Sequence, residues 1–424
     1  MAAGGRVKDI GLALSPMAYF AQFALDVPCV AMVTASHNDN GWTGVKMGAN
    51  RPLTFGPDEM TRLKEIVLNG RYKNREGGAY GFVENFPARY IADLTKRPKL
   101  KRKLKVVVAC GNGTAGAFAP DVMEAIGCEV IPLDTELDYT FPKYNPNPED
   151  MEMLHAIRDA VLEHKADVGL GFDGDGDRCG VVDNTGEEIF ADKVGVMLAR
   201  DMSAIHRDAQ FVVDVKSTGL FMTDPVLLRQ GAKTAYWKTG HSYMKRRTNE
   251  MGALAGFEKS GHFFFNKPFG RGYDDGLVSA IAICEMLDRA PDKSMADLKD
   301  ALPKTWSSPT MSPHCADETK YGVADAVVKH SKRCRKRATR SRARKSATSS
   351  PSTACASPSK TAAGAWCELH PTSRSWWWWS RARFPNSACA ICSRRWTRCC
   401  GRIRRSANII RRFDLPAIIP REGG

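Results

Sequence analysis

The chain has 424 residues, of which 43% are hydrophobic and 26% are charged, and its formal net charge is +15. A chain of this length is expected to form two to four domains. No stretch approaches the roughly 18 consecutive apolar residues of a membrane span, and no basic segment followed by an apolar core marks a signal peptide. We therefore expect no membrane partner.

The first 90 residues predict a strand–helix unit. Apolar runs and helical periodicity place strands at Val7–Leu12 and Val27–Val33 and helices at Met17–Leu25 and Pro57–Leu68. The second strand leads into T-A-S-H-N at residues 34–38, which we call the serine loop. A serine that ends a buried strand can serve as a nucleophile or phosphate carrier, although most such serines are only caps or turns.

Residues 86–103 predict a helical linker that ends in a solvated basic cluster. A second unit follows, with strands at Leu104–Ala109, Glu129–Leu133 and Val168–Phe172 and a helix at Met151–Lys165. The first of these strands leads into G-N-G-T-A-G at residues 111–116. This turn suits either a phosphate at a helix N-terminus or close strand–helix packing.

The carboxylate loop, F-D-G-D-G-D-R at residues 172–178, is the most specific motif in the chain. Asp173, Asp175 and Asp177 alternate with glycines, so the three carboxylates lie on one side of a tight turn. Such crowding is unfavourable without a divalent cation, and all-oxygen ligation suits Mg²⁺. An EF-hand is a poor alternative because Arg178 and Asn184 replace its Gly and Glu. A solvated acidic turn is the other alternative.

A third unit has predicted strands at Phe211–Val215 and Thr234–Trp237 and helices at Tyr243–Met251 and Gly276–Leu287. Between them lies G-F-E-K-S-G-H at residues 256–262, which we call the glutamate loop. Its carboxylate, hydroxyl and imidazole form a set of donors and acceptors that suits sugar hydroxyls.

Together, in this order and spacing, the three loops resemble the α-D-phosphohexomutase family, and most closely its bacterial phosphomannomutase/phosphoglucomutase members, over roughly residues 5–330. The resemblance implies that Ser36 is phosphorylated and that His37, Lys46 and His241 are catalytic, with Lys46 or His241 moving the proton. It implies a single Mg²⁺ bound by the three aspartates and Ser36. The implied substrate-binding residues are Arg178, Lys216, Glu258, Ser260 and His262.

The resemblance also implies an enzyme that moves phosphate between C1 and C6 of mannose or glucose phosphates through a hexose bisphosphate. Phosphoglucosamine mutase is one alternative, and a non-catalytic remnant of the family is another. The partners are then hexose phosphates, without nucleic acid or membrane. Six widely spaced cysteines before residue 331 favour a reducing, cytoplasmic location.

The expected architecture is multidomain α/β, with three similar mixed α/β layers around a central cleft and a fourth, C-terminal domain lost or disordered. We expect a truncated phosphoserine domain at 1–90, a metal-binding domain at 91–200, a sugar-binding domain at 201–305 and a degraded fourth domain at 306–424. The family has an additional strand and arginine loop before the position of Met1, so we expect Met1 to be an internal methionine.

The tail changes composition abruptly near residue 331. Residues 331–424 contain 22 of the 62 Lys and Arg residues but only 3 of the 47 Asp and Glu residues, together with 6 of the 9 Trp. A basic nucleic-acid arm and a disordered extension are two interpretations. A third, which we prefer, is a frameshift, because the four tryptophan codons of residues 376–379 read one base earlier as a run of valines. The phosphate grip of the fourth domain is then missing from the chain as written.

Overall fold

The computed structural model describes residues 1–38, 41–96, 99–305, 315–316, 319 and 322–333, and the backbone of 364–369 and 376–381. The first unit has two small sheets, in which β1 pairs with β4 in parallel and β2 pairs with β3 antiparallel. Its elements are β1 (Arg6–Asp9), α1 (Ser15–Ala24), β2 (Cys29–Val33), β3 (Val45–Ala49), α2 (Pro57–Leu68), β4 (Ala79–Phe82) and α3 (Phe86–Leu94).

One expectation for this unit is wrong. The strand before the serine loop was expected to be buried, but Val33 on β2 is 66% exposed. The reason is that, among the described residues, β2 pairs only with β3, and a groove of about 940 Å³ lies between β2 and β1. The predicted helical linker is also shorter than expected, because α3 ends at Leu94.

The second unit is a five-stranded sheet in the order β6-β5-β7-β8-β9, parallel through β6, β5 and β7 and antiparallel beyond. Its elements are β5 (Lys105–Ala109), a 3₁₀ turn (Thr114–Ala117), α4 (Ala119–Ala125), β6 (Glu129–Leu133), α5 (Met151–His164), β7 (Val168–Phe172), β8 (Cys179–Asp183), β9 (Glu188–Ile189) and α6 (Ala191–Ile205). Every residue of β7 is buried, as its apolar run predicts.

The third unit is a four-stranded sheet in the order β11-β10-β12-β13, with only β13 antiparallel. Its elements are β10 (Gln210–Asp214), α7 (Leu220–Thr223), α8 (Pro225–Arg229), β11 (Lys233–Trp237), α9 (His241–Glu250), β12 (Ala255–Phe257), β13 (Phe263–Phe265), α10 (Gly276–Asp288) and α11 (Met295–Asp300). The three units share one hydrophobic cluster, which includes Met17, Val106 and Phe211. The cluster holds the loops at the strand ends in a fixed relation.

Beyond residue 305 the structure describes only short segments. Residues 322–333 are helical and include the predicted helical stretch 324–330. In the tail, β14 (Gly364–Leu369) pairs antiparallel with β15 (Trp376–Arg381). The remaining predictions for 334–424 fall outside the described residues. Within the described part of the chain, no helix is both long and apolar enough to cross a bilayer.

Asp275 gives this fold a pH-dependent stability. It caps α10 by accepting hydrogen bonds from the backbone N–H groups of Leu277 and Val278, and it accepts one from the Tyr90 hydroxyl at 2.7 Å. Burial nevertheless raises the pKa of Asp275 from 3.8 to about 7. Its contribution to stability is therefore complete below pH 4 and is lost as the pH rises through 7.

We expect Asp275→Asn, which retains a capping oxygen, to reduce the loss of unfolding free energy between pH 4 and pH 8 by on the order of 4 kcal/mol. Urea denaturation at a series of pH values measures this difference. Asp292→Asn at an exposed position is the control. Parallel pH profiles for wild type and Asp275→Asn would contradict the expectation.

Candidate active site

The carboxylate loop connects β7 to β8 and lies at the bottom of the site. Asp173, Asp175 and Asp177 are each at most 2% exposed, and one oxygen from each lies within 4.8 Å of the others. One buried oxygen of Asp175 has no hydrogen-bond partner among the described residues, whereas the corresponding oxygens of Asp173 and Asp177 lie 3.2 Å from Arg178 and from His262. Three converging carboxylates, one of them with an unpartnered buried oxygen, fit a small divalent cation.

The electrostatics of the loop favour binding of a cation. Burial, together with Asp177 and Asp175, raises the pKa of Asp173 well above 3.8. Burial also opposes ionisation of Asp177, but Lys46 and His262 hold its pKa well below 3.8. A cation among the three carboxylates would relieve the repulsion that favours protonation of Asp173.

The serine loop follows β2 and packs directly against the carboxylate loop. Ser36 has a φ of +56°, which is the left-handed region that non-glycine residues rarely adopt. The Thr34 hydroxyl oxygen accepts a hydrogen bond from the Ser36 N–H at 2.8 Å, and the same hydroxyl donates to Asp175 at 3.0 Å. Thr34 therefore links the serine to the carboxylates.

Lys46 reaches the same carboxylates from β3. The antiparallel register places it opposite Met32 on β2. Its ammonium lies 2.7 Å from Asp175 and 2.6 Å from Asp177. Burial opposes the charge, but the two carboxylates raise the pKa of Lys46 well above 10.5, so it is a cation in this arrangement.

His37 and Arg178 close the other side of the serine. The Ser36 hydroxyl lies 3.2 Å from Nδ1 of His37, and the guanidinium of Arg178 donates to that nitrogen at 2.6 Å. Burial and the Arg178 charge lower the pKa of His37 to about 3, so the imidazole is neutral. Arg178 also lies 3.2 Å from a carboxylate oxygen of Asp173.

The glutamate loop joins β12 to β13 and faces the carboxylate loop. Glu258 accepts a hydrogen bond from the Gly240 N–H at 2.6 Å, and burial raises the pKa of Glu258 from 4.5 to about 7. The Ser260 hydroxyl lies 3.0 Å from Nδ1 of His262, whose Nε2 lies 3.2 Å from Asp177. His262 therefore connects the two loops.

The last two predicted residues lie in the third unit. His241 begins α9, and its ring stacks on that of His262 with centroids 6.2 Å apart. Lys216 follows β10, is 7% exposed, and its charge acts on Glu258. The structure thus brings the predicted residues of all three units to one region.

Sequence reasoning missed several residues of this site. Ser15, at the start of α1, donates to Asp175 at 2.6 Å, and Asn145 donates to the backbone carbonyl of His37 at 2.7 Å. Asp274, which directly precedes the capping residue of α10, lies with Asp177 and His262 in a second group of potential ligands. The helix-initiating S-P at residues 15–16 was the one local signal for Ser15.

Three family models match successive parts of the chain. They are described as phosphoglucomutase/phosphomannomutase α/β/α domains I, II and III, and they match residues 1–74, 88–186 and 190–306. The chain is 37% identical over 328 residues to a phosphomannomutase/phosphoglucomutase of Pseudomonas putida, covering 77% of this chain and 69% of that protein. The chain belongs to the phosphoglucomutase/phosphomannomutase family.

Other members of the family support the same assignment. A Vibrio cholerae phosphomannomutase is 32% identical over 336 residues, covering 77% of this chain and 70% of that protein. A solved phosphoglucomutase/phosphomannomutase family structure from Burkholderia thailandensis matches with a TM-score of 0.75 and 28% identity, over 94% of this chain and 83% of that one. These matches confirm the predicted family, the α/β fold class and a hexose phosphate mutase, an isomerase, as the function.

The contact between the serine and carboxylate loops can be tested at Gly174. A Cβ there would lie 2.3 Å from the backbone carbonyl oxygen of Ser36, so the loops must separate. We expect Gly174→Ala to lower mutase kcat by about 10–100-fold through this displacement. Gly81→Ala, with no atom near the new Cβ, is the matched control. Equal rates for the two variants would show that the loop contact does not position the serine.

Proposed function

We propose that Ser36 carries the phosphate that this mutase transfers between C1 and C6 of mannose or glucose phosphates. The observation that carries the proposal is the direct packing of the serine loop on the carboxylate loop, with Thr34 bonded to both Ser36 and Asp175. The names of the Pseudomonas and Vibrio relatives support mannose and glucose as the sugars.

The transfer occurs in two balanced steps. First, the phosphoryl group leaves Oγ of Ser36 and bonds to the free hydroxyl oxygen of the sugar phosphate, whose proton passes to a base. The product is a bisphosphorylated sugar, which reverses its orientation in the cleft. Its other phosphoryl group then returns to Ser36, and the base returns the proton to the sugar oxygen that is released.

Asp173, Asp175 and Asp177, with Ser36, are the proposed ligands of one Mg²⁺. A bound ion would supply positive charge that neutralises and polarises the transferring phosphoryl group. Lys46 and Arg178 contribute fixed positive charge beside the serine, since Lys46 contacts two of the aspartates and Arg178 contacts the third.

His241 is the better of the two candidates for moving the proton. Lys46 is a cation held between two carboxylates and has no lone pair to accept a proton. Burial lowers the pKa of His241 to about 3, so its imidazole is neutral and, although a weak base in this arrangement, keeps one nitrogen lone pair that can receive the proton. Lys46 therefore acts through its charge.

Glu258 and Ser260 are proposed to bind sugar hydroxyls, with His262 on the same loop and Lys216 near the sugar and its phosphate. The backbone of this tight loop is fixed by a 3.0 Å hydrogen bond from the Glu258 N–H to the His262 carbonyl. A fixed loop can bind the sugar in both orientations.

The six cysteines among the described residues are free thiols, which supports a reducing, cytoplasmic location.

Mass spectrometry of the purified chain and ³¹P NMR with hexose phosphates test the proposal. We expect phosphate on Ser36 and interconversion of the 1- and 6-phosphates of mannose or glucose. Faster turnover of glucosamine phosphates would favour the phosphoglucosamine alternative. Phosphoserine at position 36 without turnover would favour the non-catalytic alternative, and turnover without phosphate at Ser36 would overturn the proposal.

A further inference from the structure

A fully buried ion pair lies beside the site and has no role in the steps above. Lys245 on α9 and Asp274 before α10 are both 0% exposed, and the ammonium lies 2.8 Å from Oδ1 of Asp274. The ammonium also lies 3.7 Å from the ring centroid of Tyr19, which α1 of the first unit contributes. The pair thus joins the first and third units.

Burying two charges is unfavourable unless the pair is well placed, so such a pair needs an explanation beyond stability. Tyr19 offers the face of its ring to the ammonium, and it also packs on Tyr273, with centroids 5.6 Å apart. The backbone of Asp274 bridges to Phe264 on β13. The position of the Asp274 carboxylate is therefore fixed by its ion pair with Lys245 and by the backbone bridge to Phe264.

The second oxygen of Asp274 points to a catalytic candidate. Oδ2 lies 4.0 Å from Nδ1 of His241. Both atoms are buried, and neither has a hydrogen-bond partner among the described residues. An acceptor and a ring nitrogen that face each other without other partners need to approach by only about 1 Å to bond, and such bonds often tighten when substrate binds.

We propose that Asp274, held by Lys245, is a positioning residue that accepts a hydrogen bond from the Nδ1–H of His241 and so leaves Nε2 of His241 free to take the sugar hydroxyl proton. The inference rests on the proposed function, because it assigns the geometry of the group that moves the proton. Lys245 acts in turn on Asp274, and neither residue touches substrate.

Which ring nitrogen of His241 carries the proton decides whether the imidazole can accept a proton from the sugar. A neutral histidine carries one proton, and the tautomer is set by the partner of one nitrogen. A carboxylate can only accept, so it requires the proton on Nδ1. An amide at the same position can donate to Nδ1, which then moves the proton to Nε2 and leaves no base facing the sugar.

¹⁵N NMR of the imidazoles and steady-state kinetics test the proposal on the full chain. We expect an Nδ1–H tautomer for His241, assigned by loss of its signal in His241→Gln. In Asp274→Asn we expect the Nε2–H tautomer, with kcat lowered by about 100-fold or more and KM changed by less than about threefold. Asp183→Asn, at another buried carboxylate paired with a lysine, is the matched control.

A second pair of variants separates positioning from folding. Lys245→Met leaves the Asp274 charge unpaired and should lower the thermal midpoint, whereas Lys245→Met with Asp274→Asn should restore the midpoint but not kcat. Recovery of kcat in the double variant, or an Nε2–H tautomer in the wild type, would overturn the inference. The tautomer is read without turnover, so an inactive wild type would count against the proposed function alone.

Discussion

Ser36→Ala is expected to lower the mutase kcat by about a thousandfold or more and to remove the phosphate from the protein. The alanine has no oxygen to carry the phosphoryl group. Steady-state assays with glucose and mannose 1-phosphates, with mass spectrometry of the active-site peptide, measure both effects.

Ser294→Ala is the control for this substitution. Ser294 caps α11 through a hydrogen bond from Asp297 N–H at 3.1 Å, and it belongs to none of the three loops. It should retain phosphate on Ser36 and full turnover while losing some helix stability. Substantial activity in Ser36→Ala would mean that another group carries the phosphate.

Asp177→Asn is expected to weaken Mg²⁺ binding by at least about tenfold and to lower kcat by about 100-fold or more. Asparagine keeps the shape of the side chain but removes the charge that Lys46 and His262 contact at 2.6 and 3.2 Å. Asp177 is a sharper choice than Asp175, because Asp175 also accepts hydrogen bonds from Ser15 and Thr34.

Isothermal titration with Mg²⁺ and kinetics at a series of Mg²⁺ concentrations measure this effect. Asp183→Asn is again the matched control, since its carboxylate is buried and pairs with Lys299 away from the three loops. Metal affinity that is unchanged in Asp177→Asn would place the ion elsewhere or remove it from the account.

The sequence predicted the site best where the reactive residues of a motif lie within one short loop next to a predictable strand. The carboxylate loop lies between two buried strands, so its position at the end of β7 and its convergence of carboxylates were both predictable. The glutamate loop was recognised from its own residues, but the two short strands that hold it, β12 and β13, were not predicted. The predicted helix began at Tyr243, whereas α9 begins at His241.

What the sequence could not supply is the set of contacts between distant segments. The strand that carries Lys46 is half-exposed and contains a glycine, so no periodicity marks it; its register with β2 aims the lysine. Ser15 and Asp175 are 160 residues apart, and no local pattern joins them. No local pattern singled out Asp274, whose side chain pairs with Lys245 and lies 4.0 Å from His241.

A single-turnover transfer from the phosphorylated protein tests whether Ser36 carries the phosphate that the enzyme transfers. Chain labelled with ³²P on Ser36 is mixed with a limiting amount of unlabelled glucose or mannose 1-phosphate in the presence of Mg²⁺. We expect label to leave the protein and to appear first in a hexose bisphosphate and then at C6 of the monophosphate. Label that stays on Ser36 while product forms would show that Ser36 does not carry the transferred phosphate.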